Sequence, residues 1–321
     1  MRLIIKYDNK SMQDGIGAQA LRLLGLYSIS KFFRISYFHS PIVDLIEEFS
    51  HGSKEESDLQ QLIVRVNTFF DFPSIPGIPR NSKTIKVRQL GLKELLFFRI
   101  KSLFSNKTLV LDILLPFGIT DRFPFLYKYG VRYLRNRHYH LLRKRHFVVA
   151  HIRRGYGFLY SDQRYIRPRN LPFSYFNDCI AHVAKKYFGD SEFRLVVHTD
   201  LSPNSLKWKP TQKRVLDGLK EVTGNYKAKE IDIEGIRVED HLQVPEKCKG
   251  EFHYCAEFFD TFLDMCSCEI LIQGNSALSY LAGLLNENIV IWPARHGHSK
   301  YSSWINSESF GLKIRDDLIR G

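Results

Sequence analysis

The chain has 321 residues, 44% hydrophobic and 25% charged, a balance that sets it among folded globular proteins and against a disordered chain. Its 47 basic and 34 acidic side chains leave a formal charge of +13, which favours anionic partners of any kind and chooses none. No apolar run reaches the ~18 residues that cross a bilayer.

The opening MRLIIKYDNK is too short in its apolar part for a secretory signal, so the chain reads as cytoplasmic. Five cysteines, an odd number, agree with reduced thiols in that compartment. Cys248, His253, Cys255, Cys266 and Cys268 lie close in sequence. They lack the paired C-x-x-C spacing of a zinc site, and no metal is expected. The length allows two domains, each with its own core.

In chain order, Leu3–Tyr7 reads as a buried strand and Asp8–Gly17 as a polar, glycine-containing loop. Gln19–Phe33 carries helical spacing through Leu21, Leu24, Leu26 and Ile29. Ile35–Phe38 reads as a second strand. Residues 50–92 are the least legible, with Phe72, Pro73, Pro76, Gly77 and Pro79 punctuating a loop. Arg122–Arg145 is basic and tyrosine-rich and is predicted as one helix, with or without a kink.

From Phe147 the pattern is regular. Strands are predicted at Phe147–Ile152, Phe193–His198, Lys229–Ile233, Ile270–Gln273 and Ile289–Trp292, with helices at Ser174–Tyr187, Phe258–Cys268 and Ala277–Leu285. Such alternation predicts a parallel sheet covered on both faces. Ligands of such sheets sit beyond the carboxyl ends of the strands, and those loops are where chemistry is sought.

Four clusters fall there. His151, Arg153, Arg154 and Gly155 follow a strand. Adjacent arginines suit phosphate oxygens, which their planar forks bind bidentately, or they serve in structural ion pairs. Gly274-Asn275-Ser276-Ala277-Leu278-Ser279 precedes a helix; Asn275 or Ser276 can cap it, and its free amides suit an anion. Upstream, Asp260 and Asp264 share a helix face, set to accept hydrogen bonds from a nucleoside or to face solvent. Asp14, Gly15, Gly17, Gln19 and Ala20 partly imitate a dinucleotide fingerprint. The acid that such a site needs about 20 positions on is missing from Ile35–His39, which demotes a nicotinamide cofactor. Val197-His198-Thr199-Asp200 ends a strand and offers either ligand contacts or a core histidine–aspartate pair.

Taken together and in order, these loops resemble the superfamily of α1,2-, α1,6- and protein O-fucosyltransferases. Its G-x-G-N-Q loop is matched by Gly15, Gly17, Ala18 and Gln19, and its H-x-R-R motif by His151, Arg153 and Arg154. Its S/T-D element is matched by Thr199-Asp200, and its N-S-S-F-S motif by Asn275, Ser276, Leu278 and Ser279. The anchors span residues 15 to 279.

The resemblance implies an α/β fold of GT-B type, two facing Rossmann-like lobes with the active site in the cleft. It divides the chain into an acceptor-side lobe, 1–146, and a nucleotide-sugar-binding lobe, 147–321. The implied reaction is inverting, metal-independent fucosyl transfer from GDP-fucose to a glycan or glycoconjugate, with no cofactor. Arg153 would contact the departing β-phosphate and Arg154 would orient the loop. Ser276 would reach the diphosphate and Asp260 would lie near the nucleoside. Asp162, then Asp14, are the candidates for the carboxylate that takes the acceptor proton. The chain departs from the pattern at Tyr156, where aspartate is common, at Ala18 for asparagine and at Ala277 for serine.

Two further readings stand beside it. A transferase using another nucleotide-sugar is one. A non-enzymatic nucleic-acid-binding protein is the other, because Arg132–Arg145 interleaves cations with Tyr133 and Tyr139. No RNP, KH, zinc-finger or helix-turn-helix signature accompanies that belt, so no specific nucleic acid is expected. The same belt suits peripheral contact with an anionic membrane.

Overall fold

The computed structural model describes residues 2–11, 14–44, 56–153, 171–200, 203–204, 206–208, 231–233, 235–294 and 298–310. The chain divides into two compact units, Met1–His140 and Leu141–Gly321. Both are mixed α/β, and each is built on a parallel sheet.

The first unit runs β1 (Leu3–Tyr7), α1 (Ile16–Phe33), β2 (Ser36–Phe38), α2 (Glu56–Phe69), β3 (Ser82–Gln89), α3 (Leu92–Phe104), β4 (Thr108–Leu115) and α4 (Lys128–Arg137). Its strands are parallel in the order β2-β1-β4-β3. The inner strands, LIIKY and TLVLDILL, are nearly continuous apolar runs, as burial on both faces requires. Their one charge each, Lys6 and Asp112, are register partners and pair Nζ to Oδ1 at 2.7 Å. The edge strand β3, SKTIKVRQ, is mostly exposed, and its cations guard an open edge.

Helix α1 is buried on nearly every side from Gly17 to Ser30, the mark of a core helix. It stops at Arg34, which takes the left-handed conformation (φ 53°) so that the Ile35 amide can donate to the Ser30 carbonyl at 2.9 Å. Helix α4 comes close to α1 through Gly130. A Cβ there would stand 2.4 Å from Leu24 Cδ1 and 2.8 Å from Ser28 Oγ.

The helix predicted over Arg122–Arg145 is shorter than expected. A 3-10 turn, Pro124–Tyr127, leads into α4, which stops at Arg137. Beyond it the side chains lose their helical apolar spacing. His138 instead stacks on Phe69 with centroids 4.0 Å apart and bonds the Phe69 carbonyl at 2.9 Å.

The second unit runs β5 (Arg145–Ile152), α5 (Phe173–Val183), β6 (Phe193–Thr199), β7 (Leu206–Trp208), β8 (Ile231–Ile233), β9 (Cys248–Tyr254), α6 (Phe258–Ser267), β10 (Cys268–Ile272), α7 (Ala277–Leu285), β11 (Ile289–Trp292) and β12 (Ile305–Asn306). Six parallel strands lie in the order β12-β11-β10-β5-β6-β9. The strand expected near Lys229–Ile233 forms as β8 but pairs antiparallel with β7, outside this sheet. The place beside β6 belongs to β9, CKGEFHY. Its polar composition fits an edge and hides it from a search for apolar runs.

The order of strands has a consequence for function. From β5 the chain moves outward through β6 to β9, then returns to the other side of β5 with β10. The sheet therefore reverses direction between β5 and β10. At such a reversal the flanking loops diverge and open a crevice at the carboxyl ends of the strands. In the first unit the same reversal lies between β1 and β4.

Candidate functional site

The loops flanking the reversal in the second unit are those after β5 and β10. Gly274 brings them together. A Cβ on Gly274 would stand 2.3 Å from the carbonyl oxygen of His151 and 3.5 Å from the amide nitrogen of Arg153. Only a residue without a side chain fits here, so the turn into α7 is pressed against the end of β5.

Beyond Gly274 the chain enters α7. Asn275 and Ser276 are buried, and Ser276 is the N-cap, its Oγ accepting from the Ser279 amide at 3.0 Å. The Ser276 hydroxyl donates to Ser279 Oγ at 3.1 Å, and Ser279 Oγ in turn meets His151 Nδ1. With its hydrogen directed at His151, Ser279 completes a chain from cap to strand. His151, Ser276 and Ser279 are all buried, so these hydrogen bonds offset the cost of removing polar groups from water. Behind them Gln273 donates from Nε2 to the Ser279 carbonyl at 2.9 Å, and Tyr175 of α5 donates to the Gln273 carbonyl at 3.2 Å.

Ala277 and Leu278, the first two residues of α7, are only partly buried. The amides of a first helical turn have no acceptor within their helix. Ser276 satisfies the amide of Ser279, and the Ser276 carbonyl that of Tyr280. The amides of Ala277 and Leu278 thus stand at the positive end of a nine-residue helix, an arrangement that holds anions.

Arg153 stands beside this helix end. Its Nε lies 3.7 Å from Asp200 Oδ2, with the arginine side chain one-third exposed and the aspartate largely buried. The pairing follows from the parallel register, which sets Ile152 opposite Thr199 and so places the next residues, Arg153 and Asp200, side by side. Cys255, at the end of β9, continues the row: its amide donates to the Thr199 carbonyl at 2.9 Å.

His198 takes the core reading of the two the sequence allowed. It is buried and held from α6, with Nε2 3.0 Å from Asp264 Oδ2 and Nδ1 3.3 Å from Thr261 Oγ1. Asp264 also accepts from Arg145 Nη1 at 3.2 Å. Asp260, one turn earlier on α6, is exposed, close to the helix start that Glu257 caps. Arg154 and Asp162 lie outside the described residues.

In the first unit, the loop after β1 is held by its own side chains. Asp14 accepts from the Gly15 amide at 2.9 Å, and its other oxygen pairs with Arg22. Gln19 donates to the Asp14 and Asp44 carbonyls, both at 2.8 Å, and accepts from Tyr7 Oη at 3.3 Å. Both Asp14 oxygens are therefore engaged. Gly15 is the N-cap of α1 and offers no side chain, while Gly17 is buried within the helix.

Asp8, the residue after β1, is also buried. Burial alone would raise its pKa, but the Ser11 hydroxyl, the Lys10 amide and Lys86 outweigh it and hold the carboxyl below its ordinary value.

Among the described residues, no three His, Cys, Asp or Glu side chains gather as metal ligands would. Cys255 is exposed, whereas Cys266 and Cys268 are buried, and burial pushes the Cys248 thiol up to about 11. No described helix is long and apolar enough to cross a membrane.

Sequence reasoning selected Arg153, Asp200 and Ser276 at the carboxyl ends of the strands without indicating that Arg153 and Asp200 would pair. It missed the Gly274 contact, for which a glycine directly after a strand was the available signal. It offered the free amides of this helix start to an anion, but which two are open is given only by the cap geometry.

No protein-family model matches the chain, and no curated protein sequence does. Among solved structures, the chain is similar in shape to E. coli heptosyltransferase WaaC with ADP, at 11% identity and a TM-score of 0.33 over 91% of this chain and 88% of that one. It is similar to fucosyltransferase NodZ from Bradyrhizobium, at 14% identity and a TM-score of 0.31 over 89% of this chain and 92% of that one. A third, POFUT1 in complex with GDP, has 10% identity and a TM-score of 0.39 over 97% and 98%. Likeness at this level assigns no ligand or reaction to the chain.

Proposed function

We propose that the chain is a glycosyltransferase, and that it transfers fucose from GDP-fucose to a glycan or glycoconjugate with inversion and without a metal ion. One observation carries the reading. At the reversal of a parallel sheet, the open amides of Ala277 and Leu278 stand at the amino end of α7 while Gly274 holds that turn against Arg153. A diphosphate placed there would be met by a helix dipole and a guanidinium.

In the proposed reaction the acceptor hydroxyl attacks the anomeric carbon from the face opposite the phosphate. The bond to the β-phosphate oxygen breaks, and its electrons leave on the nucleoside diphosphate. Arg153 and the α7 amides stabilise that growing charge, already oriented before the reaction. Asp200 fixes the guanidinium through Nε. Asp260, exposed at the start of α6, is proposed to face the nucleoside. The acceptor proton passes to a carboxylate. Asp162 is the first candidate, since Asp14 is occupied by Arg22 and the Gly15 amide.

The motif set, taken in order, favours fucose and guanosine. Tyr156, Ala18 and Ala277, where the pattern has other residues, make another nucleotide-sugar the second reading. The test is thermal-shift protection of the purified protein by GDP, GDP-fucose, GDP-mannose, UDP-sugars, NADH and an oligonucleotide, without added metal. Protection by GDP compounds that Arg153→Ala lowers at least tenfold in affinity is expected, since a charge-assisted contact contributes about 1.5–3 kcal/mol. Protection by UDP-sugars alone would keep the transferase and overturn the donor. Protection by an oligonucleotide and by no mononucleotide would replace the proposal with nucleic-acid binding.

A further inference from the structure

Helix α3 of the first unit, LKELLFFRIKSLF, carries its apolar side chains on the wrong side for a core. Leu95 and Ser102 are buried, on the side where the helix lies against β1 and β4. Leu96, Phe97, Ile100, Leu103 and Phe104 are exposed, Leu103 by 70% and Phe104 by 84%. At 100° per residue these five fall within a single stripe about 120° wide, centred roughly opposite Leu95 and Ser102. Scattered exposed apolar residues need no explanation, but a continuous stripe of this size does.

The same helical geometry places cations along the stripe's borders. Arg99 stands on one side and Lys101 on the other, with Lys93 at the amino end of the stripe. Lys101 Nζ lies 5.6 Å from the centre of the Phe97 ring. Glu94 is the sole acid of the helix. Arg99 Nη1 donates to the Phe33 carbonyl at 3.2 Å, which joins α3 to the end of α1. There Phe32 is also exposed, its ring 5.9 Å from that of exposed Phe125, and Lys128 Nζ sits 5.8 Å from the Phe125 ring. The patch is therefore apolar at its centre and cationic at its rim.

We propose that this face docks on an anionic lipid bilayer, with α3 lying in the plane of the interface. An apolar stripe flanked by cations suits the boundary between acyl chains and negatively charged headgroups. A second copy of the chain suits it poorly, because two-fold pairing of the same patch would set its cations against themselves. The basic belt at Arg132–Arg145 that the sequence points to lacks this continuous apolar stripe. The docking surface is α3.

The test is flotation of the full chain with two vesicle preparations, phosphatidylcholine alone and phosphatidylcholine with one-third phosphatidylglycerol, at ~0.1 M salt. Binding to the anionic vesicles and weak binding to the neutral ones is expected. Leu103→Ser/Phe104→Ser should lower partitioning at least tenfold, and Lys93→Ala/Lys101→Ala about 25-fold, since each basic side chain contributes roughly a factor of five at an anionic surface. Both pairs are exposed, so thermal stability and near-ultraviolet circular dichroism should be unchanged. Equal binding to both vesicles, absence of binding, or partitioning untouched by the Leu103→Ser/Phe104→Ser change would overturn the proposal. A dimer in sedimentation velocity that the same change dissociates would overturn it in favour of a second copy.

Discussion

Replacing Gly274 by alanine tests the candidate site at its tightest point. The new Cβ would stand 2.3 Å from the His151 carbonyl oxygen, whereas an ordinary carbon–oxygen approach is about 3.3 Å. Both partners are backbone, and neither can turn aside as a side chain would. The amino end of α7 and the end of β5 must therefore separate by about 1 Å. Overpacking of this kind costs about 1–3 kcal/mol. At roughly 2–4 °C per kcal/mol for a unit of this size, the melting transition of the second unit should fall by about 2–12 °C.

The same displacement carries the Ala277 and Leu278 amides away from Arg153, and misplacement by 1 Å can cost about a hundredfold in a site that depends on alignment. The assay is scanning calorimetry with and without GDP, beside Gly77→Ala as the control. A Cβ on Gly77 meets nothing within 4 Å, so that change should be neutral or slightly stabilising by its effect on the unfolded chain. Gly274→Ala melting with the wild type would refute the close approach. Gly274→Ala melting early yet protected by GDP as well as the wild type would refute the placement of the diphosphate at this turn.

Two more outcomes follow from the hydrogen bonds. Ser276→Ala removes the α7 cap and the donor to Ser279 and should cost about 1–2 kcal/mol in urea unfolding. GDP affinity should fall less than in Arg153→Ala, because the Ala277 and Leu278 amides remain, and an equal fall would show that the hydroxyl itself meets the ligand. The Asp8 carboxyl is held below its ordinary value, so its contribution to stability is complete above about pH 3.9 and is lost as pH falls through the lower folded value. Wild-type stability should drop in that acid window. Asp8→Asn should lack this component, and identical acid profiles for the two proteins would refute the assignment.

Several elements are legible in the sequence because their signals are local. Leu3–Tyr7, Ala277–Leu285 and Ile289–Trp292 match their predicted bounds. Each is an apolar run closed by turn or capping residues, and their placement in buried parallel sheet and core helix makes hydrophobicity a direct reading of position. The α/β alternation of the second unit followed from the same runs. The edge strands β3 and β9 escaped because an edge strand is half solvated and reads as polar. The belt from Arg122 to Arg145 was over-read as one helix because composition cannot show that His138 finds its partner on Phe69, 69 positions away.

For the candidate site the division is sharper. Residue types at strand ends singled out His151, Arg153, Asp200 and Ser276, since strand–loop–helix boundaries are written in local chemistry. Which of them meet was decided by the order of the strands: the return of β10 to the side of β5 brings Gly274 against His151, and parallel register sets Arg153 beside Asp200. The cationic, apolar face of α3 likewise depends on the tertiary structure. Periodicity gives a helix two faces of mixed character, and only the packing of Leu95 and Ser102 toward β1 and β4 settles that the phenylalanine-rich face looks outward. Local chemistry is carried by the chain itself, whereas pairing between distant residues exists only once long-range contacts outweigh the entropy of closing the chain between them.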